Sequence, residues 1–289
     1  QAACLKRARA PPTRLQVRER RRVERTLEQE ACMLSQMKHP NLVGFRAAQR
    51  LNDGHLCLAL EHLDLSLYAL VQERQFAIAS ASRYGGCISP SREERAGAVF
   101  SADEILRVGR CTSAGLAYLH NEHRLMHGDV KSANVLVSRD LRLVKVCDLG
   151  VSIALTHDLS AALQHDAQYE GTEPWRPPET LKGEGERGHM GEAEICDRTD
   201  VFAFGLVVWE MLTGDVPHAS QLSAGEQVYR AALGTRPAIP PLPPSYEFAT
   251  QIFQVCTQPL PCQRPSAAEL LDCFTTGSVA SLPVVCDEW

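Results

Sequence analysis

Leu125-Met-His-Gly-Asp-Val-Lys-Ser-Ala-Asn-Val-Leu-Val137, closed by Val146-Cys-Asp-Leu-Gly150, is the stretch that decides the fold of this chain. Asp129, Lys131 and Asn134 stand close together in it, between the apolar runs Val135 to Val137 and Leu143, Val144, Val146. Such short apolar runs read as buried strands, so the polar residues sit on a loop held between two fixed elements. Asp148 falls where the second strand ends in Leu-Gly. A polar loop pinned in this way is a rigid platform, which a positioned catalytic group requires.

The chemistry suited to this set is phosphoryl transfer from a metal nucleotide. Asp129 is placed to take or orient the proton of an attacking hydroxyl, and Lys131, two residues on, to neutralise the moving phosphoryl group. Asn134 and Asp148 supply the oxygen ligands that Mg²⁺ prefers. Asp, Asn and Gly also favour ordinary turns, so a single Asp-Gly carries no information. The two blocks in order, with about fourteen residues between Asn134 and Asp148, carry much more.

His127-Gly-Asp-Val-Lys-Ser-Ala-Asn134 followed by Asp148-Leu-Gly150 resembles the H-R-D-x-K-x-x-N and D-F-G blocks of the protein kinases. The resemblance implies an α+β fold: a small β-rich lobe over residues 1–63 and a large, mainly helical lobe over 64–276, with a tail over 277–289. It implies ATP and Mg²⁺ as cofactors, a protein substrate and an upstream kinase as partners. Asp129 would be the base, Lys131 the charge stabiliser, and Asn134 and Asp148 the metal ligands.

Upstream, Ala3-Cys-Leu-Lys6 resembles the strand whose Lys holds the α/β-phosphates. Pro11-Pro12 ends that strand, and apolar Val23, Leu27, Ala31, Leu34 and Met37 then recur at helical spacing from about Thr13 to Met37. Glu30 lies on this helix and is the expected ion-pair partner of Lys6, with Glu28 as the competing candidate. Leu42 to Arg46 and His55 to Leu60, around Asn52-Asp53-Gly54, read as a hairpin. Glu61-His62-Leu63 resembles the hinge that binds adenine, with Leu60 as the gatekeeper beside it. A helix is expected over Leu65 to Glu73, a loop or insertion over 77–100, and a further helix from the capping box Ser101-Ala-Asp-Glu104 to His120.

Downstream, Gly171-Thr-Glu-Pro-Trp175 and Pro177-Pro-Glu179 resemble the end of a kinase activation segment, where Thr172 would bridge Asp129 and Lys131. Thr156, Ser160, Tyr169 and Thr172 are its candidate phosphosites. Asp200-Val-Phe-Ala-Phe-Gly205 opens a helix apolar nearly all round, hence buried, and Asp200 would hold the catalytic loop. Arg264 would pair with Glu179. Leu34, Phe45, His127 and Leu149 would form an apolar column above Asp200. The wording of these blocks is closest to kinases related to the MAP kinase kinases, which implies Ser/Thr or dual specificity and a role in mitotic and stress signalling.

Composition sets the remaining bounds. Hydrophobic content of 44% and charged content of 22% are ordinary for a globular protein. No apolar run reaches the length of a membrane span, so no membrane partner is expected. Eleven cysteines without C-x-x-C spacing point to reduced thiols in cytosol or nucleus. The formal charge of −5 argues against nucleic-acid binding. Residues 1–25 nevertheless carry nine Lys or Arg against two Glu, a solvated helix face or a docking patch for an acidic partner.

Three features depart from the kinase pattern. Only five residues precede Lys6, so no Gly-rich phosphate loop can be assigned and the small lobe reads as truncated. Gly128 replaces the Arg that pairs with activation-segment phosphate. Asp287-Glu-Trp289 lacks the Ser/Thr-x-Val form of a PDZ ligand, so PDZ binding is not expected. The missing loop keeps open a catalytically inactive scaffold as the rival to an active enzyme. A small-molecule phosphotransferase is the third reading, opposed by Thr172, Glu179 and Arg264.

Overall fold

The computed structural model describes residues 3–7, 16–52, 55–84, 98–159, 169–181, 195–280 and 282; for 3–7, 16–22 and 82–84 only the backbone is described. Strand β1 (Ala3–Arg7) pairs antiparallel with β3 (Leu56–Glu61), which pairs antiparallel with β2 (Phe45–Arg50), and helix α1 (Gln16–Gln36) packs on this sheet. Lys6 stands opposite Leu58 in the register. On α1, Leu27, Ala31 and Leu34 are buried at three- and four-residue spacing, as the helical period requires. Val23, expected on the same stripe, is exposed, and Met37 lies just beyond the helix end.

The hairpin begins later than its sequence suggests. Leu42 and Val43 do not enter β2; they run beside Val146, with Val43 N–H donating to the Val146 carbonyl at 2.9 Å. Buried Leu42 thereby joins the small lobe to the strand that leads into Asp148. Asp53 and Gly54 of the expected turn lie outside the described residues.

Past β4 (Leu65–Ser66), helix α2 runs over Leu67–Tyr84, so residues 77–84 continue a helix where the sequence suggests a loop. Helix α3 (Ala102–His123) starts at the expected capping box: Ser101 Oγ accepts from Glu104 N–H at 3.3 Å, and Glu104 Oε2 accepts from Ser101 N–H at 2.9 Å. The two helices are joined where Arg74 donates to both oxygens of Glu104 at 2.7 and 2.8 Å. That fork, with help from Ser101, holds the Glu104 carboxyl below its ordinary value.

The catalytic-type stretch follows as β5 (Leu125–Met126), a loop, and the antiparallel pair β6 (Val135–Val137) and β7 (Val144–Val146). β8 (Ile153–Ala154) pairs back on β5. Helix α4 (Asp197–Thr213) is buried over nearly its whole length, and α5 (Ala219–Ala224), α6 (Glu226–Ala232), α7 (Glu247–Cys256) and α8 (Ala267–Thr276) complete the chain. Gly205 lets α4 approach α7 closely, since a Cβ there would lie 2.7 Å from Cys256 Cβ.

The result is an α+β, bilobal fold with two main cores. One gathers Leu67, Ile105, Leu116, Phe202, Phe204, Phe253 and Leu270 around α4; the other gathers Leu27, Leu34, Leu58 and Leu60 with Leu119, Val146 and Leu149 at the seam. Leu34, Phe45 and Leu149 of the expected column belong to this second core.

Candidate active site

Asp200, in the first turn of α4 and fully buried, organises the loop after β5. Its Oδ2 accepts from His127 N–H at 2.7 Å and from the His120 ring at 2.8 Å, and its Oδ1 accepts from Gly128 N–H at 2.9 Å. An unpaired buried carboxylate would be costly, and three donors offset its desolvation. His127 extends this frame: its Nε2 donates to the Cys147 carbonyl at 2.9 Å and its Nδ1 accepts from Asp129 N–H at 3.2 Å. One imidazole thus couples Asp129 to the strand that delivers Asp148.

The Asp129 carboxylate is surrounded by donors. Lys131 Nζ stands 2.6 Å from Oδ2 and Asn134 Nδ2 3.0 Å from the same oxygen, while Thr172 donates to Oδ1 through N–H at 2.9 Å and through its hydroxyl at 2.8 Å. Lys131 Nζ also reaches Thr172 Oγ1 at 2.5 Å. Four residues separated by up to 43 positions therefore meet at one carboxylate. Lys131 and Asp129 keep about a fifth and a seventh of their side-chain surface open, so the cluster faces outward. Asn134 uses its amide nitrogen on Asp129, which leaves its oxygen for a ligand. Asp148 has φ 69°, with Gly150 N–H on its Oδ1 at 3.2 Å.

Glu30 is fully buried, and a Cβ built on Gly150 would lie 3.9 Å from its Oε2, which sets that carboxylate beside the Asp148-Leu-Gly turn. Glu28 is exposed and pairs with Arg50 at 2.9 Å. The Lys6 side chain, and with it the expected Lys6–Glu30 pair, lies outside the described residues. Leu60 and Leu63 are buried, Leu60 within the seam core. The Glu61 carboxylate accepts from Gly44 N–H at 3.1 Å and pairs with Lys145 at 3.0 Å.

Lys145 and Glu210 are the site residues that sequence reasoning missed. Lys145, between Val144 and Val146 on β7, is 9% exposed and also donates to the Leu42 carbonyl at 3.3 Å. Glu210, deep in apolar α4, lies 2.5 Å from both Ser132 Oγ and Trp175 Nε1, so it ties the catalytic-type loop to the segment after Thr172. Burial pushes its carboxyl up to about 8. In each case a charge inside an apolar run was the available signal.

The segment ending at Glu179 is anchored as expected. Arg264, fully buried, forks onto Glu179 at 2.7 and 2.8 Å. Of the candidate phosphosites, Thr156 donates to Asp158 at 2.7 Å, Tyr169 is buried with Arg176 over its ring, and Ser160 lies outside the described residues. Of residues 1–25, read as a solvated face or a docking patch, only 23–25 have described side chains.

This geometry agrees with the comparisons to known proteins. The chain matches the protein kinase domain family over residues 13–273 and belongs to it. Lys6 precedes the matched span. The chain is 37% identical over 269 residues to the human lymphokine-activated killer T-cell-originated protein kinase, covering 88% of this chain and 75% of that one. It is 30% identical over 246 residues to the mitogen-activated protein kinase kinase kinase ANP1 of Arabidopsis thaliana, covering 85% of this chain and 31% of that protein. The serine/threonine/tyrosine-protein kinase HT1 of the same plant is 26% identical, with 87% and 55% covered. Among the described residues no helix is long and apolar enough to cross a membrane.

Proposed function

We propose that this chain is an ATP- and Mg²⁺-dependent protein kinase that phosphorylates Ser or Thr hydroxyls of protein substrates. The observation that carries the reading is the convergence of Lys131, Asn134 and Thr172 on Asp129, beneath which Asp200 fixes the backbone. The substrate hydroxyl takes its place at Asp129, which orients its oxygen toward the γ-phosphorus and receives its proton. A new oxygen–phosphorus bond forms, the bond to the β–γ bridging oxygen breaks, and ADP leaves. Lys131 offsets the negative charge on the transferring group, and the Thr172 hydroxyl orients both Lys131 and Asp129.

Oxygen donors from Asn134 and Asp148 fit a hard divalent cation such as Mg²⁺, which would neutralise phosphate charge. Among the described residues no cluster of three or more His, Cys, Asp or Glu forms a metal cage. That is consistent with Mg²⁺, which is held by one or two protein ligands together with substrate phosphates. Lys6, tied to Glu30, would clamp the nucleotide phosphates, and the backbones of Glu61 and Leu63, beside Leu60, would hold adenine. The Glu61 side chain is already taken by Lys145, so any adenine contact there falls to its main chain. The place we assign the enzyme is MAP-kinase-type signalling in mitosis and stress, with Tyr phosphorylation as an extension of its specificity; the similarity to a mitogen-activated protein kinase kinase kinase supports the pathway class.

Transfer of labelled phosphate from ATP to a basic protein tests the reading. Asp129→Asn is expected to lose transfer by a factor of about 10³ or more while still binding nucleotide, and removal of Mg²⁺ should have the same effect on the parent chain. A parent chain with neither transfer nor a thermal shift under Mg-ATP would instead support the scaffold.

A further inference from the structure

Away from the active site, Pro237-Ala-Ile-Pro-Pro-Leu-Pro-Pro244 holds five prolines in eight residues between α6 and α7. Each proline fixes φ near −65°, and their density favours the polyproline II helix, three residues per turn with no internal hydrogen bonds. The structure keeps residues 236–243 outside any helix or strand, and Pro243 has φ −57° and ψ 153°. Burial follows that period on two of the three faces, while on the third Pro237 is buried, Pro240 exposed and Pro243 half-buried. Ile239 and Leu242, three apart, pack onto the large core; Ala238, Pro241 and Pro244, also three apart, are exposed, as is Pro240 beside them.

The segment is held at both ends. Arg236 donates to the Gln254 carbonyl at 2.8 Å and to Thr257 Oγ1 at 3.0 Å, and Trp209 Nε1 donates to the Ala238 carbonyl at 2.9 Å. Tyr246 N–H donates to the Pro243 carbonyl at 3.0 Å, ending the stretch in a tight turn. Between these anchors the carbonyls of Ile239, Pro240, Pro241 and Leu242 accept no hydrogen bond from the described residues. A groove of about 730 Å³ runs between the segment and α7, so its flank is open as well.

We propose that Pro240-Pro241-Leu242-Pro243 is a preformed ligand for a small protein module of the WW type. Such modules bind polyproline II segments in an aromatic-lined groove. The proline rings supply the packing, the free carbonyls accept hydrogen bonds from the groove, and the anchored backbone removes most of the ordering cost. A groove of the SH3 type fits less well, because it also engages a basic side chain beside the prolines. Arg236 is committed inward, and the exposed charge at the other end, Glu247, is acidic. Tyr246 is packed into the fold, so the recognition rests on the prolines.

The test titrates the full chain into an isotope-labelled, isolated WW domain that binds Pro-Pro-x-Pro peptides, with an isolated SH3 domain in parallel. The expected result is resonance shifts confined to the aromatic groove of the WW domain. Affinity should fall about tenfold or more in Pro240→Ala/Pro241→Ala and equally in Pro241→Glu, a change at an exposed position, and Tyr246→Phe should leave it unchanged. Absence of binding by the folded chain, undiminished binding by both proline variants, or preference for the SH3 domain would each overturn the proposal. So would binding by a free peptide of residues 235–246 that the folded chain does not share.

Discussion

Arg264→Lys is the perturbation whose cost can be worked out most fully. All five guanidinium N–H groups of Arg264 are used: two on Glu179, and one each on the carbonyls of Gln258, Arg198 and Pro259 at 2.7, 3.2 and 3.0 Å. The group also lies 4.9 Å from the Phe202 ring centroid, and neither partner of the ion pair is exposed. Lysine offers three donors from a single point, so at least two bonds are lost and the fork onto Glu179 cannot re-form. At about 1.5–3 kcal/mol for a hydrogen bond to a charged group, the loss is roughly 3–6 kcal/mol, in line with about 3–5 kcal/mol for breaking a buried pair. Urea unfolding should register it as a fall in midpoint, and thermal unfolding as a fall on the order of 10 °C. The double variant Arg264→Met/Glu179→Met leaves no stranded charge and should cost clearly less than the sum of the single variants. A Lys variant within about 1 kcal/mol of the parent, or strict additivity in the double variant, would refute the reasoning.

Two further predictions concern α4 and α3. Burial raises the Glu210 carboxyl from an ordinary 4.5 to about 8, so between those values the unfolded chain binds fewer protons than the folded one. Stability should therefore decline as pH rises through that window, by at most about 1.4 kcal/mol per pH unit, and Glu210→Gln should flatten the profile measured by denaturant titration. At Gly109, a Cβ would come within 2.3 Å of the Phe274 ring, which is itself edge-on to Phe204 and Phe248. Gly109→Ala should thus destabilise by about 1–3 kcal/mol in calorimetry despite the better helix propensity of Ala.

Where local chemistry carried the signal, the sequence was legible. The Ser101 capping box, the β6–β7 pair and the buried character of α4 all follow from residues within a few positions of one another. Legibility failed where the partner was distant. Leu42 and Val43 look like the start of a hairpin strand, yet Leu42 bridges to Val146 and Val43 N–H donates to the Val146 carbonyl, about a hundred positions on. Residues 77–84 resemble a loop in sequence, but α2 continues through them, with 77–79 and 81 exposed. In the site, Asp129, Lys131, Asn134 and Thr172 were readable from a conspicuous motif, and the structure brings those four together. Lys145 and Glu210 were not, because a charge in an apolar run announces a need for a partner without naming it.

The wiring of Asp200 carries a consequence for how the molecule is built. Its three donors lie 72, 73 and 80 positions earlier in the chain, at Gly128, His127 and His120. During synthesis those residues emerge first and wait, lacking the carboxylate that sets their geometry. Closing loops of that length costs chain entropy before the contacts repay it. The loop around Asp129 therefore has its Asp200 anchor only once α4 has been made and docked.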